Sequence, residues 1–366
     1  MDRPKILLMG CGGIGGTIAA TLSARGAGPV VVTHNPVIAE AVNTRGFVQR
    51  DEDSERAIPG RAAAEVPADA GQFDFVWLAT QPPQVEDAAR AALPHLAPHG
   101  AMVCLQNGLC EQRVAAIAGA ERTFGAIVAW GASMLEPGVY ERTSAGGFVI
   151  GRLDGQADPR LHTLRQALEP IGPVDITHNL RGARWSKLAI NCAISSLGTI
   201  GGDRLGALLR YRFVRRLALE VMTEAVAVAR ARAVRLEKVS GTIDLDWVAL
   251  SDGERTLSGS PALMAKHALL LAVGAKFRRL RSSMLLAIER GREPAVDYLN
   301  GEVVWRGREL GIGVPLNTRV VEMIHALARR ELRPGLPLLR RLYADSRAEV
   351  RAPSDQLNST FASSDR

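Results

Sequence analysis

Short apolar runs recur along the first half of the chain, each closed by a glycine-rich or polar break. "KILLMG" (5–10), "PVVVTH" (29–34), "FDFVWLAT" (73–80), "AMVCLQ" (101–106), "TFGAIVAW" (123–130) and "GFVIG" (147–151) read as strands. Between them, "GGTIAATLSARG" and "PPQVEDAARAALPHL" carry helical spacing. Strands alternating with helices predict a parallel sheet covered on both faces, an α/β fold. After about residue 180 the pattern changes. "RWSKLAINCAISSLGTI", "VRRLALEVMTEAVAVARARAV", "AVDYLNGEVVWRGRELG" and "NTRVVEMIHALARRE" have helical periodicity and almost no strand signal. The expected organisation is an α/β domain over residues 1–180, an all-α domain over 181–335, and an Arg-rich end over 336–366. The last stretch of that end, "APSDQLNSTFASSDR" (352–366), reads as a disordered tail.

The first strand runs into "GCGGIGG", with Gly10, Gly12 and Gly15 in the G-x-G-x-x-G arrangement at the start of a helix. In that context the glycines allow a tight turn and close approach of backbone to a pyrophosphate at the helix N-terminus. Gly10, Cys11, Gly12, Gly13, Ile14 and Gly15 are therefore the expected cofactor loop of a Rossmann-type, doubly wound domain. An acid after the second strand would bind a ribose 2′-OH, whereas a basic residue would accept a 2′-phosphate. Here that position offers Thr33, His34 and Asn35, with no acid until Glu40. The missing carboxylate leans toward NADP and leaves NAD open. Beyond the strand ends, Gln81 and Asn107 emerge into the expected ligand crevice. The Asn107 amide can both donate to and accept from a sugar hydroxyl or a substrate oxygen, and Asn107–Gly108 is also a turn dipeptide.

Composition narrows the class. The chain has 366 residues, 47% hydrophobic and 23% charged, with ample core for two domains. "ALLLAVGA" (268–275) is too short to span a bilayer, and "MDRPKILLMG" lacks a signal-peptide pattern, so a cytoplasmic protein with no membrane partner is expected. Four cysteines, Cys11, Cys104, Cys110 and Cys192, form no CxxC pair and no zinc-like cluster, so neither disulfide nor metal is expected. The net charge of +7 comes with an Arg-rich end that lacks aromatic interleaving, which reads as a solvated helix and tail, not a nucleic-acid surface.

Lys187, Asn191 and Ser195 fall at i, i+4 and i+8, so they share one face of an otherwise apolar helix. A lysine ammonium there can protonate the alkoxide that forms when a hydride reduces a ketone. Only five of the basic residues are lysines in a chain that otherwise uses arginine, and arginine could not release the proton.

With these residues the chain resembles the ketopantoate reductase family. The resemblance rests on "KILLMGCGGIGG", "LQNGL", "LEPGVY", "KLAINCAIS" and "SSMLLAIERGREPAVDYLNGEVVWRGRELGIGVPLN", and runs to about residue 330. It implies NADPH-dependent reduction of 2-dehydropantoate to (R)-pantoate, a step toward pantothenate, in a cleft between a Rossmann domain and a helical one. It implies Lys187 as proton donor, Asn107 touching cofactor and substrate, and Asn191 and Ser283 binding the substrate. At four positions the chain departs from the family pattern. Ser195 stands for a second asparagine, Asn35 for a basic residue, Gln81 for a lysine, and Ala295 for the site glutamate. Nearby, Glu293 is the acid that remains in reach, and Asp297 reads as a cap or packing partner. The leading expectation is a reductase of 2-dehydropantoate or a related small 2-oxo acid, with a homodimer left open. A dinucleotide-sensing binding protein without turnover is the alternative, and Ala295 and Ser195 are its support.

Overall fold

The computed structural model describes residues 3–51, 54–238, 243–256 and 259–351. Among them, the chain forms two compact units. One is the described residues up to Lys187 with those of 234–243; the other is 188–233 with the described residues from Asp244 on. The expected tail over 352–366 lies outside the described residues.

Among the described residues, twelve strands belong to the first unit: β1 (Ile6–Met9), β2 (Val30–Val32), β3 (Phe47–Arg50), β4 (Glu55–Ile58), β5 (Ala62–Ala63), β6 (Phe73–Leu78), β7 (Leu96–Cys104), β8 (Thr123–Val128), β9 (Ala132–Glu136), β10 (Val139–Arg142), β11 (Phe148–Arg152) and β12 (Val174–Ile176). Eight make one sheet in the order β12-β11-β8-β7-β6-β1-β2-β5. Every neighbouring pair is parallel except β8 with β11. The exception has a simple cause. Parallel neighbours need a long crossover, and no helix separates β8 from β11, so the chain returns in the opposite direction. Buried strands such as β1 (ILLM) are apolar at every position because helices cover both sheet faces.

A second sheet, β4-β3-β10-β9, accompanies the expected parallel one. Its β3 and β10 pair in parallel although about ninety residues of sequence separate them, so no local period reveals the contact. It supplies a wall to the glycine loop, described below.

The second unit is helical. Its centre is the helix Arg212–Ala231, which packs against Pro261–Lys276, Asn300–Glu309, Pro315–Ala328 and Leu336–Arg351. The last of these corrects the reading of 336–351 as a solvated end. Leu339 and Leu342 are fully buried, and Arg347 pairs with Glu220. No helix among the described residues is long and apolar enough to cross a membrane.

The helix Leu180–Gly201 is continuous through the change of unit at Lys187 and Leu188. In the second unit a buried polar chain holds it. Asn300 donates to the Cys192 carbonyl (3.3 Å) and to Asn317 Oδ1 (2.9 Å), and accepts from Ser196 Oγ (2.5 Å). Asn317 Nδ2 donates to Glu224 at 2.7 Å, whose carboxylate also accepts the Leu316 and Asn317 backbone N–H groups at the start of Pro315–Ala328. Ser196, Asn300, Asn317 and Glu224 are each partnered in this network, so the helix has one seating rather than several.

Candidate active site

In the first unit the expected cofactor and proton-donor residues gather at one place. β2, β1, β6, β7 and β8 are consecutive in the sheet, and each ends at such a residue or its contact. That is the carboxyl edge, where open parallel sheets bind ligands, with the change of winding direction between β1 and β6.

The glycine loop fits a dinucleotide. Gly10 has φ +105°, and a Cβ there would fall 2.7 Å from the Thr80 nitrogen, so only glycine makes the turn. A Cβ on Gly15 would fall 2.0 Å from the Gly10 carbonyl oxygen, which is the close helix–strand approach the motif needs. Gly12 faces open space, with nothing within 4 Å of a built Cβ. The helix Gly13–Ser23 begins there with no side-chain cap and no acid in its first turn, so its leading N–H groups are left for an anion. Cys11 contributes backbone only. Its side chain is buried, its Sγ lies 3.0 Å from the Tyr140 hydroxyl, and that hydroxyl donates to the Cys11 carbonyl at 3.1 Å. The Tyr140 ring from β10 occupies the position a side chain on Gly16 would need.

At the end of β2, Asn35 caps the helix Pro36–Arg45. Its Oδ1 accepts from the N–H groups of Val37 (3.0 Å) and Ile38 (3.4 Å). The carbonyl half of the amide is thus committed, while the NH2 half has no partner among the described residues. Gln81 is exposed after β6, before the turn Pro82–Gln84, and makes no capping bond. Asn107 is exposed after β7, in a turn closed by Gly108 at φ +94°. Its side chain makes no hydrogen bond among the described residues, so the turn leaves the amide open.

Lys187 reaches the carboxyl end of β8, where its Nζ donates to the Val128 carbonyl. Burial of the ammonium and the nearby Arg184 charge lower its pKa to about 7, against the opposing pull of Glu111. It can therefore hold or release a proton near neutrality. Arg184 and Glu111 carry no signal in the sequence pattern. They form a fully buried ion pair, 2% and 1% exposed, beside the strand ends.

The second unit holds the remaining candidates. Asn191 and Ser195 are half-buried on the Leu180–Gly201 helix, and their side chains make no hydrogen bond among the described residues. The Ser282–Ser283 pair divides. Ser282 is buried: its Oγ donates to the Ser195 carbonyl (2.7 Å), lies 2.7 Å from Thr199 Oγ1, and caps the helix Ser283–Glu289. Ser283 is exposed at the first turn of that helix. Ser195 and the serine pair are thus brought together. Ala295 opens a short 3-10 turn and Glu293 is exposed. Asp297 pairs with His325 at 2.9 Å and caps nothing.

Comparison with known proteins agrees over both units. Residues 6–155 match the family model for ketopantoate reductase PanE/ApbA, and residues 179–328 match its C-terminal counterpart. A 2-dehydropantoate 2-reductase of Pyrococcus horikoshii is 24% identical over 324 residues, covering 88% of this chain and 97% of that protein. One of Mesorhizobium japonicum is 26% identical over 348 residues, covering 89% and 97%. The crystal structure of a PanE/ApbA family ketopantoate reductase from Ralstonia eutropha superposes with TM-score 0.72 at 25% identity, covering 89% of this chain and 99% of that one. A D-mandelate dehydrogenase in ternary complex with NADH and anilino(oxo)acetate shares the fold, with TM-score 0.76 at 17% identity and coverage of 89% and 99%. The chain belongs to the ketopantoate reductase PanE/ApbA family.

Proposed function

We propose that this protein is an NADPH-dependent reductase of 2-dehydropantoate, or of a closely related 2-oxo acid, with Lys187 as proton donor. The observation that carries this reading is an ammonium with pKa about 7 at the carboxyl edge of the sheet that also presents the glycine loop. The names of the curated relatives support the substrate class.

Gly10 to Gly15 would hold the pyrophosphate through backbone N–H groups, with Asn35 and Gln81 toward the rest of the cofactor. The nicotinamide supplies the hydride. Lys187 protonates the oxygen that becomes an alkoxide as the substrate ketone is reduced, ends as a neutral amine, and regains its proton from solvent. Asn107 orients cofactor and substrate by its free amide. Asn191, Ser195 and Ser283 are assigned to the substrate, the last to its carboxylate. With Ala295 at the family's glutamate position, selection among 2-oxo acids rests on these neutral groups. The same Ala295 favours the second reading, a dinucleotide-sensing protein without turnover.

The deciding experiment follows NADPH oxidation by purified protein with 2-dehydropantoate and a panel of bulkier 2-oxo acids. Turnover on at least one is expected. Tight NADPH binding with no turnover on any would leave the sensing protein as the function.

A further inference from the structure

We propose that Arg184 and Glu111 form a positioning pair that fixes the Lys187 ammonium and the backbone entering Asn107 in one frame. This rests on the reading of Lys187 as proton donor.

Arg184 and Lys187 are three residues apart on the Leu180–Gly201 helix and so project from one face. Both land on the carboxyl end of the sheet. Arg184 Nη2 donates to the Ala126 carbonyl (3.4 Å) and Lys187 to that of Val128, two residues further along β8. The same guanidinium donates to Cys104 (2.7 Å) and, through Nη1, to Gln106 (2.8 Å). Gln106 directly precedes Asn107. One side chain therefore ties the helix that carries the proton donor to two strand ends and to the turn that carries the amide.

Two cations side by side in a buried place repel, and Glu111 answers that. It lies in the first turn of the helix Cys110–Ala118 and pairs with Arg184. The absence of a side chain at Gly125 makes room for it, since a Cβ there would stand 2.5 Å from Glu111 Oε1. A buried ion pair is weak evidence of a stabilising role, because apolar residues of similar volume serve stability as well or better. Apolar residues could not donate to three carbonyls or act on a neighbouring charge. The charged groups acting on Lys187 are Arg184 on its own helix and Glu111 opposite, with effects of opposite sign. The nearby Cys104 thiol is held neutral by burial.

The test reads Lys187 directly. The chain has five lysines (Lys5, Lys187, Lys238, Lys266 and Lys276), so reductive 13C-methylation gives a sparse NMR spectrum, with Lys187 assigned by its loss in Lys187→Ala. In Glu111→Gln the Lys187 midpoint falls below that of the wild type. In Arg184→Met it rises toward the ordinary lysine value of about 10.4. Because Arg184→Met alone strands a buried carboxylate, Arg184→Met/Glu111→Met is the companion variant. It is expected to fold, to keep its NADPH affinity, and to lose about 100-fold in kcat with little change in KM, the scale of a small misplacement. A Lys187 midpoint unmoved in Glu111→Gln, or wild-type kcat in the double variant, overturns the proposal. The titration needs no turnover, so inactivity on every 2-oxo acid would defeat the assigned chemistry while the effect of the pair on Lys187 is still measured.

Discussion

As the proposed donor, Lys187 would act only while protonated. Its pKa near 7 comes from burial and Arg184, and that fixes the sign of the pH dependence. Reduction needs the ammonium, so kcat for the keto acid is expected to be full below about 7 and to fall as pH rises through it; oxidation of the hydroxy acid needs the free amine and rises over the same interval. Lys187→Ala should lower kcat for reduction by at least ~100-fold and flatten this profile. Near-normal kcat in that variant would remove Lys187 from its role. Asn35 offers a second test with a built-in control. Aspartate caps a helix as well as asparagine, so Asn35→Asp keeps the bonds to Val37 and Ile38 and the fold with them. What it adds is a carboxylate where a 2′-phosphate would sit. NADPH affinity is expected to fall at least ~10-fold relative to NADH, since one such charge contact is worth a kcal/mol or more. Equal loss of both cofactors, measured by nucleotide fluorescence, would place Asn35 elsewhere in the site.

The glycine loop is the element on which binding and stability can be separated. Gly12 has φ −77° and open space where a side chain would go, so Gly12→Ala should leave thermal stability within about 0.5 kcal/mol while intruding on the pyrophosphate. Gly15→Ala meets the Gly10 carbonyl and should cost about 1–3 kcal/mol even without nucleotide. If both variants melted and bound alike, the open space at Gly12 would have nothing to do with the cofactor. This loop was legible in the sequence because its signal is local: strand, glycines and helix are contiguous. The same holds for the lysine helix, where Lys187, Asn191 and Ser195 declare themselves by spacing. The second sheet was not legible. Its strands are short, β4 (ERAI) and β10 (VYER) carry charges, and β3 finds β10 only in the folded chain. Arg184 and Glu111 escaped for the same reason. Each reads as an ordinary polar helix position, and only the fold brings them together.

The two units are not two consecutive stretches of sequence, and this decides where the chain can be cut. The pattern of strands and helices changes near Leu180, but the first unit continues to Lys187 and takes back the described residues of 234–243. The returning segment is held by Asn179 donating to the Arg235 carbonyl (2.9 Å), Thr177 donating to Glu237 (2.9 Å), and the Glu237 N–H donating to Ser186 (3.2 Å). The first turns of the long helix cover the sheet, with Leu180 and Ala183 packed on Ile127 and Val149. A fragment of residues 1–180 therefore loses Ala183, Trp185 and the Arg184 partner of Glu111, and bares apolar sheet surface. At about 1.5–3 kcal/mol per large apolar side chain, the loss is a substantial share of the 5–15 kcal/mol that holds a domain together. The fragment is expected to melt well below the nucleotide-binding unit of the full chain and to bind NADPH poorly. A longer construction, with residues 188–233 replaced by a Gly/Ser linker so that 234–243 can return, should recover both properties. If the fragment ending at Leu180 matched the full chain in melting temperature and NADPH affinity, neither the helix turns to Lys187 nor the returning segment would belong to the dinucleotide-binding unit.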